Sequence, residues 1–84
     1  MNISGVVVRT FPQDIESVSR ALLRLDGVEV HGANADGRLV VTVEQASEGA
    51  TADILTAMQK LPGVLSASMI YHQFEDTGPE EAVQ

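Results

Sequence analysis

The sequence predicts an α+β domain in which one four-stranded antiparallel sheet carries two helices on a single face. Three observations point there. Leu25-Asp26-Gly27-Val28 returns as Leu61-Pro62-Gly63-Val64 at an offset of 36 residues, and the same offset carries Val18 onto Ile54 and Leu22 onto Met58. A helical stripe, a glycine that can take positive φ and the start of a β-rich run therefore recur together, as expected of two copies of one unit. The second observation is Val6-Val7-Val8 in the first ten residues, a β-branched run typical of a central strand. The third is the alternation of Leu39, Val41 and Val43 across Arg38 to Glu44, after turn-type residues at Asn34 to Gly37.

In chain order, Ile3 to Thr10 is the first strand, and Phe11-Pro12 stops it. Proline is tolerated in a first helical turn, and Asp14 and Glu16 place negative charge where the helix dipole favours it. Ile15, Val18, Leu22 and Leu25 then form one apolar stripe, on a helix ending before Gly27. Val28 to Ala33 and Arg38 to Glu44 form a hairpin. Ser47 or Glu48 opens a second helix with Ile54, Met58 and Leu61 inward, and Val64 to His72 is the last strand. The string βαββαβ is that of the ferredoxin-like fold, with strand order 4-1-3-2 and both helices on one side because crossovers are right-handed. Residues 1–73 make the domain, and 74–84, rich in Glu75, Asp76, Glu80 and Glu81, read as an acidic mobile tail.

Eighty-four residues form one small domain that buries only about 60–65% of its unfolded surface. With no cysteine, neither disulfides nor thiolate chemistry is available. No basic segment precedes an apolar one at the start and no apolar run is long enough to cross a bilayer, so a cytoplasmic location without stable membrane association is expected. Twelve acidic residues against five basic ones give a net charge of −7, which opposes polyphosphate and favours a cationic partner.

Alternation along the strands leaves one sheet face without cover from this chain. With Val6, Val8, Val28, Val30, Leu39, Val41 and Val43 turned to the helices, Val7, Arg9, Glu29, His31, Val40 and Thr42 face outward. Matching Val64 to Val28 places Ser66, Ser68 and Ile70 inward and Leu65, Ala67, Met69 and Tyr71 outward. Leu65, Met69 and Tyr71, beside Val7 and Val40, form an apolar strip near the size at which exposed patches mark interaction sites. A one-residue slip would exchange the two faces of this strand.

No chemistry-bearing constellation accompanies the strip. His31 and His72 lie on different strands with no second ligand at metal spacing. Ser66 and Ser68 lack the sharp turn and the paired base that an activated serine needs. Arg9-Thr10-Phe11-Pro12 offers no glycine-rich anion cradle. The two central strands carry no aromatic residue for stacking nucleic-acid bases, so nucleic acid is not an expected partner. The expectation is a binding protein rather than an enzyme, with no metal and no cofactor.

Leu61-Pro-Gly-Val-Leu-Ser-Ala-Ser-Met-Ile-Tyr-His-Gln73 followed by Phe74-Glu75-Asp76 resembles the NapD family, together with Leu25-Asp26-Gly27-Val28-Glu29-Val30 and Gly37-Arg38-Leu39-Val40-Val41-Thr42-Val43-Glu44. NapD is the small cytoplasmic maturation chaperone of the periplasmic nitrate reductase. The likeness spans about residues 6–76, with Tyr71-His72-Gln73 its most specific part; Phe74 stands where another polar residue is expected, and the tail beyond matches nothing. The resemblance implies a chaperone that binds the twin-arginine signal peptide of the reductase catalytic subunit and delays export until the molybdenum cofactor is inserted. On that reading the chain is a monomer, and the outward strand positions with the acidic end of the sheet supply the expected peptide-binding residues Val7, Val40, Thr42, Glu44, Leu65, Ala67, Met69, Tyr71, His72, Glu75 and Asp76. The alternative is a dimeric regulatory module of the same fold, with sheets paired face to face and an amino acid or similar small molecule at the interface.

Overall fold

A computed structural model describes residues 2–74. The elements follow the expected order: β1 (Asn2–Thr10), a 3-10 turn (Pro12–Asp14), α1 (Ile15–Leu23), β2 (Val28–Ala33), β3 (Arg38–Gln45), α2 (Glu48–Lys60) and β4 (Val64–Phe74). The sheet order is β2-β3-β1-β4, and all three pairings are antiparallel. This is the ferredoxin-like arrangement, with β1 and β3 at the centre.

The core lies between the sheet and the helices. Val6 and Val8 of β1 and Leu39, Val41 and Val43 of β3 are buried against Val18 and Leu22 of α1 and Met58 of α2. Burying each such side chain contributes about 1.5–3 kcal/mol, and the β-branched valines favour the extended backbone that presents them. On α2 the expected stripe holds, with Met58 fully buried and Ile54 and Leu61 packed half-buried against the core. Its N-cap is Ser47, whose Oγ accepts from the Ala50 N–H at 3.1 Å. On α1 the helix closes earlier than its apolar spacing suggests: it ends at Leu23, and Leu25, still packed on the core, belongs to the following turn.

The two repeated glycines do have positive φ, +77° at Gly27 and +92° at Gly63, but each sits one turn beyond the helix rather than at its cap. Val28 N–H donates to Leu25 O and Val64 N–H to Leu61 O, so each repeat is a four-residue β-turn whose third residue must be left-handed. In the second copy Pro62 supplies the preferred second residue of such a turn, and it also ends α2. Leu61, preceding it, is held extended at φ −67°, ψ 139°. A Cβ at Gly27 would strike the Glu44 carbonyl oxygen, whereas at Gly63 it would lie 2.9 Å from a Val18 methyl.

Gly63→Ala is therefore expected to cost about 1–2 kcal/mol, the left-handed penalty for an L-residue, read from the urea midpoint. Gly27→Ala is expected to cost more, because its neighbour is backbone and cannot rotate away. Equal, unshifted midpoints in both variants would overturn the turn assignment.

Candidate functional site

The uncovered face is built by pairing, since residues opposite one another in an antiparallel ladder point to the same side. Asn2, Ser4, Val6 and Val8 are buried on the helix side, so Ile3, Gly5, Val7 and Arg9 point to the open side. Register then draws four rows across the sheet. Glu44, Ile3 and Gln73 form the first. Glu29, Thr42, Gly5 and Tyr71 form the second. Gly32, Val40, Val7 and Ser68 form the third, and Arg38, Arg9 and Ser66 the fourth.

β4 departs from the expected facing, and the cause is two register shifts. Between Arg9 and Thr10 the ladder skips Leu65, and between Gly5 and Val6 it skips Ile70. Each bulge puts one extra residue in β4 and reverses its alternation. Val64 faces the helices as expected, but the segment between the bulges is inverted. Ala67 pairs with Val8 and is 8% exposed, and Met69 pairs with Val6, so register sets both on the helix side rather than the open face, Ala67 buried there and Met69 at the margin with 41% of its surface exposed. Ser66 and Ser68 take the outward positions instead. After Ile70 the original phase returns: Tyr71 pairs with Gly5 on the open face, and His72 pairs with Ser4 on the helix side. Leu65 and Ile70, the bulged residues, are more than half exposed.

The open face therefore carries a narrower apolar centre than the sequence suggests. It consists of Val7, Val40 and the Tyr71 ring, with Ile3 at one end. Gly5 makes room for that ring, because a Cβ there would occupy the position of the Tyr71 ring carbons. An aromatic laid across a strand glycine covers backbone that would otherwise be bare. Thr42 lies beside it, its Oγ1 2.7 Å from His31 Nε2, and the same imidazole nitrogen is 3.7 Å from Glu29 Oε1.

His72, expected at the binding face, is held elsewhere. Its Nδ1 is 2.8 Å from Ser4 Oγ and its Nε2 is 3.8 Å from Glu48 Oε2, at the start of α2. The arrangement is a serine, a histidine and a carboxylate in line, but Ser4 is completely buried, so its hydroxyl cannot meet a substrate carbonyl. The imidazole instead hydrogen-bonds β4 to β1 and lies beside the first turn of α2. Glu75 and Asp76 lie outside the described residues. Ile3 and Gly5 join the face, Glu29 stands on it as expected beside the binding residues, and strand alternation is the signal that places each of them there. Among the described residues no group of three His, Asp or Glu is arranged to hold a metal, and no helix is long and apolar enough to cross a membrane.

A ferredoxin-like sheet with one face open, apolar at its centre and charged at its ends places the chain among small α+β domains with an unpartnered sheet face, and its similarity to named chaperones places it in the chaperone class. The family model described as "NapD protein" matches residues 1–76, and the chain belongs to the NapD family. It is similar to Chaperone NapD of Escherichia coli strain K12, at 30% identity over 93% of this chain and 91% of that protein. It is also similar to Chaperone NapD of Paracoccus pantotrophus, at 28% identity over 99% of this chain and 73% of the other. Among solved structures, that of the E. coli Tat proofreading chaperone protein NapD superposes with a TM-score of 0.79 at 30% identity, covering 93% of this chain and 83% of that one. A Pyrococcus furiosus transcriptional regulatory protein of the AsnC family matches with a TM-score of 0.71, covering 95% of this chain and 54% of that one. At 15% identity it shares the fold alone.

Gly5→Val is expected to displace the Tyr71 ring and lower stability by about 1–3 kcal/mol, the usual cost of an overpacked site. Because Tyr71 is the only tyrosine and there is no tryptophan, near-ultraviolet dichroism above about 275 nm reports that ring directly. An unchanged tyrosine band in Gly5→Val would contradict the packing of Tyr71 on Gly5.

Proposed function

We propose that this chain is a cytoplasmic, monomeric chaperone that binds the twin-arginine signal peptide of the periplasmic nitrate reductase catalytic subunit and delays its export until the molybdenum cofactor is in place. Membership of the NapD family across residues 1–76 carries this reading. The E. coli relative with the same fold is described as a Tat proofreading chaperone, and the proposal extends that role to this chain.

The open face supports the extension chemically. A signal peptide has an apolar segment behind its arginines, and Val7, Val40 and Tyr71 offer side-chain contacts for such a segment folded as an amphipathic helix. Backbone pairing is not needed, because the central strands already have neighbours on both sides. Glu29 and Glu44 supply carboxylates at one end for the arginines, and the net charge of −7 favours the encounter. Leu65, Ala67 and Met69 leave the set of contacts proposed on this face, and Ile3, Gly5 and Glu29 enter it.

The test is calorimetric titration with the synthetic signal peptide of the reductase from the same organism. Val40→Asp, at a site 44% exposed, is expected to weaken binding at least about tenfold, the effect of a central interface contact, without moving the urea midpoint. Ala67→Asp is expected to lower stability by about 2 kcal/mol or more, since it buries an unpaired charge. Wild-type affinity in Val40→Asp would remove the open face from the binding site. Light scattering at micromolar concentration is expected to give one copy; a stable dimer would favour the regulatory-module reading.

A further inference from the structure

The charges on the open face do more than attract a basic peptide, because they are sorted along the strands. Arg9 stands directly opposite Arg38 in the β1–β3 ladder, and both are exposed on that face. Like charges directly opposed across two strands weaken a sheet. Among the described residues neither arginine is in an ion pair; Glu29 and Glu48 lie instead beside the imidazoles of His31 and His72. Ser66, opposite Arg9, adds a hydroxyl to the same row.

At the other end of β1 the sign is reversed. Glu44 stands opposite Ile3, and Glu29 lies one row inward beside Thr42. From Ile3 to Arg9 the strand rises by roughly 20 Å, which is the length of about 13 residues of α-helix. A helix of that length laid over Val7 and Val40 would therefore have one terminus at the carboxylates and the other at the arginines.

We propose that Arg9 and Arg38 receive the C-terminal end of the docked signal-peptide helix, so that the peptide lies with its twin arginines at Glu29 and Glu44. This rests on the reading that the open face takes the signal peptide. Both charge terms select this direction. The helix N-terminus is its positive pole and carries the two arginines, and both are attracted to the carboxylate end; the C-terminal carbonyls form the negative pole and meet two guanidinium groups. The reverse direction sets two arginines and a positive pole over Arg9 and Arg38, with no compensating contact. The recognised chemistry is a helix that starts with paired cations, continues uncharged for about three turns, and has no cation where it ends.

The experiment uses the full chain, isotopically labelled, and two versions of the synthetic signal peptide, one with a nitroxide just before the twin arginines and one with it after the apolar segment. The first is expected to broaden the amide signals of Ile3, Glu29 and Glu44, the second those of Arg9, Arg38 and Ser66. The opposite pattern, or equal broadening at both ends by either label, overturns the orientation while leaving the binding face standing. Absence of saturable binding by the unlabelled peptide removes the binding reading and the orientation together. The variant Arg9→Gln with Arg38→Gln is expected to weaken binding by about two- to fivefold per arginine at low ionic strength and by less at high salt. Its urea midpoint is expected to equal or exceed that of the wild type, because a like-charge pair has been removed. Unchanged affinity at low salt overturns the role assigned to the two arginines.

Discussion

The phase of β1 decides which face of the sheet every other side chain occupies. This strand is paired along its whole length with β3 on one side and β4 on the other, and the complete burial of Val6 and Val8 fixes its phase. Sliding β1 by one residue would exchange Val6 and Val8 for Ile3 and Val7 but would also turn Arg9 toward the core, where an unpaired charge is costly to bury. The neighbouring strands inherit their facing from β1 through direct opposition. The open face is therefore the other half of the periodicity that builds the core, and its apolar centre and charged ends come from residues such as Val7 and Arg9 that β1 is obliged to turn outward.

Much of this is legible in the residues themselves. The 36-residue repeat carries both helices and both turns, and the alternation of Leu39, Val41 and Val43 carries the facing of β3. The facing of the middle of β4 is not legible in the same way. Leu65-Ser66-Ala67-Ser68-Met69 alternates cleanly, but small and large residues alternate as well as polar and apolar ones, and whether Ala67 or Ser66 turns inward depends on what each meets across the ladder. The bulges at Leu65 and Ile70 carry no mark of their own, since neither is a glycine or a proline. The end of α1 is blurred for a related reason: Leu25 continues the helical spacing of Leu22 while already lying in a turn, because both residues must reach the same core.

The sheet also divides labour among polar groups that look alike in the sequence. His31 sits on the open side with Thr42 and Glu29, whereas His72 on the helix side is bonded to Ser4 and lies near Glu48 at the start of α2. The two imidazoles thus belong to different layers of the molecule. The serines divide in the same manner: Ser66 and Ser68 of β4 turn outward, while Ser4 of β1 is buried beneath the helices.

The bulges that reverse β4 have a further effect on how this molecule meets others. β4 and β2 are the two margins of the sheet, and each has an interrupted ladder, β4 at Leu65 and Ile70 and β2 at His31. A second polypeptide joining a margin would have to copy those interruptions residue for residue, because its own regular hydrogen bonds would fall out of step within about five positions. The domain thus presents an apolar face and still offers poor templates at its borders, so that an extended chain lying against that face is not readily recruited as an extra strand.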